Sequence, residues 1–313
     1  MNKAFPIIIW VAAIIISLYT LPDLAAFFGF QISNSNQVSN VVMVSDNAGK
    51  VFNETYWNSR ISPTVYDFEI DGRDSSLIYA ATDAGLFISK DNGGHWYSYS
   101  DLEGQLIGAK IYQIKKDINN PGRIFVSLFK NGQGGIYETQ DKFFTLQKIF
   151  DTKEAAAYKL ISASDKIYFG LSDGRLISYS TKDSGFILLA AVGSAITDIT
   201  IKNSQIYVAD KNREIWQGNI NDQNFFVRQE ISSSQSAYTA SMLGATLDTA
   251  VAKNPIKFIV LDNQDQIYLA SSDKLYRSSN QGQDWQLILD VPGRKVNSVI
   301  FGNNGKIIVG TSS

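Results

Sequence analysis

Six short segments of nearly the same composition recur along the chain: "LIYAAT" from residue 77, "RIFVSL" from 123, "KIYFGL" from 166, "QIYVAD" from 205, "QIYLAS" from 266 and "KIIVGT" from 306. Their second residue is always isoleucine, at positions 78, 124, 167, 206, 267 and 307. The successive gaps are 46, 43, 39, 61 and 40 residues. A spacing near 40 with one overlong interval is a repeat that carries one insertion. Units of this length cannot cover their own apolar faces and must stack on their neighbours.

Most of these segments have a strand-like run after them ("GLFIS", "GIYET", "RLISY", "EIWQG", "KLYRS") and all have one before them ("TVYDFEI", "KIYQIKK", "YKLISAS", "AITDITI", "IKFIVLD", "KVNSVIF"). The runs are rich in β-branched and aromatic residues and are separated by Gly, Asn, Asp and Ser. A further run, such as "HWYSYSD" or "DWQLILD", follows a polar turn. Four antiparallel strands per repeat predict the blade of a β-propeller. The expected fold is therefore all-β, with six blades over residues 40–313. The C-terminus supplies only two strands, "KVNSVIF" and "KIIVGT", so residues 42–57 are expected to supply the other two of a composite blade that closes the ring. A seventh blade would have to come from the insertion at 233–255.

The polar turn has a frame of its own, Ser-x-Asp/Asn-x-Gly-x-x-aromatic. It occurs as Ser45, Asn47, Gly49 and Phe52, as Ser89, Asp91, Gly93 and Trp96, and as Ser278, Asn280, Gly282 and Trp285. Short polar side chains accept hydrogen bonds from loop N–H groups, glycine takes positive φ without a Cβ clash, and the aromatic residue folds back on the sheet. Asparagine in two of the three copies keeps the acceptor but not the charge, which suits hydrogen bonding rather than a metal. The only histidine, His95, falls inside one copy and reads as a turn residue. "TQDKFFTL" at 139–146 and "STKDSGF" at 180–186 look like eroded copies, the first without the glycine and the second out of register.

This frame resembles the Asp-box (BNR) repeat of sialidases, sortilin-type receptors and photosystem II assembly-factor-like propellers. The last group is the most similar, because its blades pair "IYVAT"-like with "GLFRS"-like strands. The resemblance covers residues 40–313 and implies a binding scaffold for a protein or a glycan, with a role in envelope complex assembly as one form of it. The alternative it implies is an exported sialidase-like glycoside hydrolase. Such an enzyme needs three arginines around a substrate carboxylate, an acidic proton donor and a Tyr–Glu pair. The only echo of the family's Arg-Ile-Pro is "RISP" at 60–63, which has an extra serine. Arg73 and Arg123 fall on the side of the turns, and Arg228 and Arg277 fall in strands. The chain is accordingly read as not an enzyme, with no catalytic residue assigned.

The N-terminus adds the compartment. After Lys3 the chain is apolar from residue 4 to 22, and at about 1.5 Å per residue that run nearly crosses a hydrocarbon layer of roughly 30 Å. Residues 1–30 are expected to form an uncleaved signal anchor, a transmembrane helix, followed by a linker at 31–39. "DLAAF" makes a poor cleavage site; cleavage would release the chain as a secreted protein. Lys3 before the span and no basic residue close behind it orient the bulk of the chain outside the cytoplasm. The absence of cysteine excludes a disulfide scaffold, a thiolate metal site, a cysteine nucleophile and a lipoprotein anchor. The formal charge of −2 gives no reason to expect nucleic acid as a partner. No cofactor and no metal are expected.

Loops from second to third strands, and from blade to blade, emerge opposite the polar turns. That face carries the candidate binding residues Tyr238 and Met242 in the insertion, with Lys130, Arg175, Arg213 and Arg294 around it. Long insertions in compact domains are commonly functional.

Overall fold

The computed structural model describes residues 41–58, 62–202, 204–212, 214–220, 227–229 and 256–313. Residues 1–40, with the expected anchor and linker, and the insertion at 233–255 lie outside the described residues. Among the described residues no helix is long and apolar enough to cross a membrane.

The chain is an all-β, six-bladed β-propeller. Blade 1 consists of Val65–Ile70, Ile78–Thr82, Gly85–Ser89 and His95–Tyr99, from the channel outward. Blade 2 consists of Lys110–Lys116, Ile124–Lys130, Gln133–Thr139 and Gln147–Lys153. Blade 3 follows with Ala157–Ala163, Lys166–Leu171, Arg175–Ser180 and Phe186–Ala191. Blade 4 has Ile196–Lys202, Gln205–Asp210, Ile215–Asn219 and Val227–Gln229, and blade 5 has Ile256–Leu261, Ile267–Ser271, Lys274–Ser278 and Gln286–Asp290. Each of these sheets pairs its four strands in chain order, antiparallel throughout.

The recurring isoleucine segments are the second strands. Ile78–Thr82, Ile267–Ser271 and Ile307–Ser312 are buried at every position. A strand inside a blade is covered by a neighbouring blade on each face, so it is buried continuously rather than in alternation. The cores consequently lie between blades. Tyr79, Leu86, Ile111 and Val126 join blades 1 and 2, Phe125, Ile136, Leu160 and Phe169 join blades 2 and 3, and Met43, Tyr268, Val296 and Val309 join blades 5 and 6. Outer strands meet solvent, as in the largely exposed Gln147–Lys153.

Blade 6 is composite. Lys295–Phe301 and Ile307–Ser312 come from the C-terminus, and Val42–Ser45 pairs antiparallel with the latter, Val42 opposite Gly310 and Ser45 opposite Ile307. Asn53–Glu54 then pairs with Val42–Ser45 as the outer strand. The structure departs from the expectation here, because residues 42–57 do not all stay in blade 6. Tyr56–Asn58 crosses to blade 1 and runs parallel to its outer strand, Tyr56 opposite His95 and Trp57 opposite Trp96. The cause is Trp57, which is 1% exposed, 4.4 Å from the Phe87 ring and 5.6 Å from the Trp96 ring. An indole buries roughly 150–250 Å², and the flank of blade 1 offers the Phe87 and Trp96 rings to receive it. The N-terminal segment thus ties the first blade to the last as well as completing the last.

Candidate functional site

The three polar turns share one hydrogen-bond plan. The serine hydroxyl donates to Oδ1 of the Asp or Asn two residues on, at 2.9 Å for Ser45, 2.8 Å for Ser89 and 2.9 Å for Ser278. It accepts from the glycine N–H at 2.9, 2.8 and 2.8 Å. The same Oδ1 accepts from the N–H of Val51, His95 or Asp284, at 2.9 Å each time. The glycines take φ of +80°, +91° and +84°. In Asp91, burial pushes the carboxyl up, but the bonds it accepts from the His95 ring, the His95 N–H and the Ser89 hydroxyl outweigh this and hold it below the usual carboxylate range.

"TQDKFFTL" has the same geometry without the glycine. Thr139 Oγ1 donates to Asp141 at 2.8 Å and accepts from Phe143 N–H at 3.1 Å, and Thr145 N–H donates to Asp141 at 2.9 Å. Phe143 holds φ +67° because its ring is fully buried against Tyr79, with centroids 4.8 Å apart. The aromatic lids differ in depth. Trp96 is fully buried and its Nε1 donates to Gly93 O at 2.9 Å, whereas Phe52 and Trp285 are half-buried. Trp57 covers only the first of them. Every partner in these turns is internal, so their chemistry is that of a brace.

Of the candidate binding residues, Tyr238, Met242 and Arg213 lie outside the described residues. Lys130 Nζ donates to the carbonyls of Gly104 and Gln105 at 2.9 and 3.4 Å, capping a loop of blade 1. Arg175 is paired with Asp173 at 2.7 Å on the rim of a depression of about 540 Å³ between blades 2 and 3. Arg294 is a tie within the wheel, donating to Thr311 Oγ1 and Ser62 Oγ at 2.7 Å each. Its Nη2 is buried and unpartnered, and burial holds its guanidinium below the usual range. These three cations therefore do not converge on one pocket.

What does converge is the channel. A cavity of about 750 Å³ is lined by the inner strands of all six blades. Each inner strand carries a bulge at the same place: the pairing jumps from Val65 to Asp67, Ile111 to Gln113, Ala157 to Lys159, Ile196 to Asp198, Ile256 to Phe258 and Val296 to Ser298. The extra residues are Tyr66, Tyr112, Tyr158, Thr197, Lys257 and Asn297, and all six line the cavity. A bulge leaves one residue outside the ladder and re-aims it. Because it lies at the start of each inner strand, the ring sits at the channel mouth away from the turns joining third to outer strands.

The mouth has two unlike walls. On blades 1 to 3, Tyr66 and Tyr112 have ring centroids 5.4 Å apart, and Tyr112 and Tyr158 have theirs 5.0 Å apart. Burial, then the nearby Asp83, pushes the Tyr66 phenol up to about 12, so it stays a neutral hydroxyl. The following residues hand polar groups from blade to blade. Asp67 accepts from Ile114 N–H at 3.2 Å and pairs with Lys115 at 2.8 Å, Gln113 accepts from Leu160 N–H, and Lys159 pairs with Asp198 at 3.0 Å. Inner strands are sheet edges, and these contacts satisfy N–H groups that would otherwise be orphaned. On blades 5 and 6 the chain of contacts stops. Phe258 offers no polar group, Ser298 Oγ and Asn297 Nδ2 are buried and unpartnered, and neither Lys257 nor Lys295 has an ion pair among the described residues. Burial and then the Lys295 charge bring the Lys257 ammonium down to about 8.

Comparison with known proteins bears on the fold. No protein-family model matches the chain, and no curated protein matches it. Among solved structures it is similar to YCF48 from Cyanidioschyzon merolae, with a TM-score of 0.58 at 9% identity over 79% of this chain and 95% of that one. The WD40 β-propeller domain of Doa1 superposes with a TM-score of 0.56 at 14% identity, over 80% and 90%. A chain of the mitotic checkpoint complex gives 0.53 at 9% identity, over 90% and 94%. At such identities the likeness is one of architecture. The channel mouth was not among the candidate residues, yet a trace of it is legible. The inner strands read Val-Tyr-Asp-Phe, Ile-Tyr-Gln-Ile, Ala-Tyr-Lys-Leu, Ile-Thr-Asp-Ile and Val-Asn-Ser-Val, with two successive polar residues where strict alternation allows one.

Proposed function

We propose that the chain is a membrane-anchored, extracytoplasmic binding scaffold that engages a protein partner through the channel mouth and performs no catalysis. The observation that carries this reading is the ring of six bulges, which puts one side chain per blade into a single mouth opposite the braced turns. The apolar run at 4–22, the Asp-box resemblance and the propeller neighbours support the tether and the scaffold class. Against the glycosidase stands the channel wall, which among the described residues contains no arginine to grip a substrate carboxylate. Arg123 is instead committed to Glu138 and Tyr179, and Arg277 to Ala48 O and Gln286.

The test has two arms. Membrane fractionation with protease added to spheroplasts, which opens the periplasm as well as the cell surface, should recover the chain in membranes and degrade its propeller; a chain protected until the cytoplasmic membrane is lysed would refute the placement. Cross-linked capture with Tyr112→Ala/Tyr158→Ala should lose a protein that the unaltered chain recovers. Equal recovery would refute the mouth as the binding face. A fluorogenic sialoside should show no turnover.

A further inference from the structure

The channel mouth is balanced in charge on one side only. Asp67 is met by Lys115 and Lys159 by Asp198, so the walls of blades 1 to 4 carry paired charges. Lys257 and Lys295 carry two ammonium groups with no carboxylate against them among the described residues. Lys257 donates to Asn297 Oδ1, which fixes the amide so that Nδ2 is the free donor beside it. Ser298 Oγ, one residue on, is also without a partner. Two ammoniums thus face one cavity mouth, with an amide N–H and a hydroxyl buried behind them. Lys257 and Lys295 are exposed side chains whose like charges repel, and a bound anion between them would remove that cost.

We propose that blades 5 and 6 hold the carboxylate of a small acidic ligand at the channel mouth, between Lys257 and Lys295, with the ring-shaped body of that ligand against Tyr66, Tyr112 and Tyr158. The inference rests on the reading of the mouth as the binding face and names its chemistry. A carboxylate presents two oxygens, one to each ammonium. The set includes no arginine fork and no helix N-terminus, the devices that favour a phosphate. A cavity of about 750 Å³ is of the size that holds a small molecule, a range of roughly 300–1,000 Å³. The aromatic wall across the channel suits a ring, and a hexuronate carries both parts.

The site has a titration signature. The groups facing Lys257 are Lys295 and Asn297 on blade 6, Asp198 and Lys159 on blade 4 and 3, and Asp67 with the three phenols across the channel. All the carboxylates there are already paired. A bound carboxylate replaces like-charge repulsion with attraction and drives a proton onto Lys257, which titrates near 8 when the site is empty. Uptake should approach about half a proton per ligand at pH 8 and vanish near pH 6, where the amine is already charged.

The experiment is calorimetric titration of the full chain in neutral detergent with trigalacturonate, in two buffers of different ionisation enthalpy. Binding with proton uptake at pH 8 and none at pH 6 is expected. Lys257→Met and Lys295→Met should each weaken it at least about tenfold, the loss of one charge-assisted hydrogen bond, with unfolding temperatures no lower than that of the parent. No binding in the millimolar range, binding without uptake, or binding indifferent to both variants would overturn the proposal. Tighter binding of inorganic phosphate would overturn the carboxylate. Binding of a glutamate-rich peptide but not the uronate would overturn the small ligand. Uronate binding and partner capture measured together on Tyr112→Ala/Tyr158→Ala and on the two lysine variants separate the two readings: uronate binding lost in the lysine variants with capture retained in all of them leaves this site standing and removes the mouth from the protein interface.

Discussion

Replacing Ser89 isolates the hydrogen-bond brace of one turn. Its hydroxyl is fully buried and sits between Asp91 Oδ1 and the Gly93 N–H, both at 2.8 Å. Ser89→Ala leaves that N–H without an acceptor inside the protein, which costs about 1–3 kcal/mol. For a domain of this size the unfolding temperature should fall by about 2–6 °C. Asp91→Asn should cost far less, because Asn47 and Asn280 fill the same place with the same bonds at 2.9 Å. The turns at Ser45 and Ser278 lie in the adjoining blades 6 and 5, with Lys306 joining Asp46 to Asn92 O and Arg277 reaching Ala48 O, so the three serine-to-alanine losses should couple rather than simply add. Thermal unfolding followed by tryptophan fluorescence measures all of these. An Asp91→Asn loss as large as that of Ser89→Ala, or marked stabilisation of the parent by added calcium, would refute the hydrogen-bond reasoning and make the charge the essential feature.

Trp57→Ala should cost about 3–5 kcal/mol and detach Tyr56–Asn58 from blade 1, seen as faster hydrogen exchange at residues 95–97. Asp91 and Asp141 are both held below the usual carboxylate range, in each case by accepted hydrogen bonds that outweigh burial. Their stabilisation is complete above about pH 4 and disappears as pH falls through their lowered values, so the urea midpoint should drop as pH falls below about 4, less steeply in Asp91→Asn. Lys257 titrates lower in the folded chain than unfolded, so its charge opposes folding below about pH 8 and the penalty lifts as pH rises toward 10.4. Lys257→Met should therefore raise the unfolding temperature at pH 7 and flatten its rise above pH 8; a lower temperature would contradict the electrostatic reading.

The wheel is legible in the sequence because its second strands are buried on both faces, which writes the same isoleucine segment once per blade. The composite blade follows from counting strands at the two ends. The excursion of residues 56–58 does not, since it depends on an aromatic surface that exists only once Phe87 and Trp96 are side by side. The brace at 139–145 is masked for a related reason: Phe143 occupies a glycine's conformation because its ring is buried, and only the folded core reveals that. Strand order places Lys130, Arg175 and Arg294 on the face opposite the polar turns, yet carbonyls, Asp173 and the hydroxyls of Thr311 and Ser62 claim them. The channel mouth depends on register, which the doubled polar positions hint at and only pairing fixes.

Closure of the ring by Val42–Ser45 is the claim on which the rest depends, and the absence of native cysteine makes it directly testable. Met43 and Val309 are directly paired across adjacent strands. In Met43→Cys/Val309→Cys, mild oxidation of the folded protein should give one intramolecular disulfide, mapped by mass spectrometry, while Met43→Cys/Phe169→Cys stays reduced. Absence of the first cross-link, or equal formation of the second, would contradict the closed wheel.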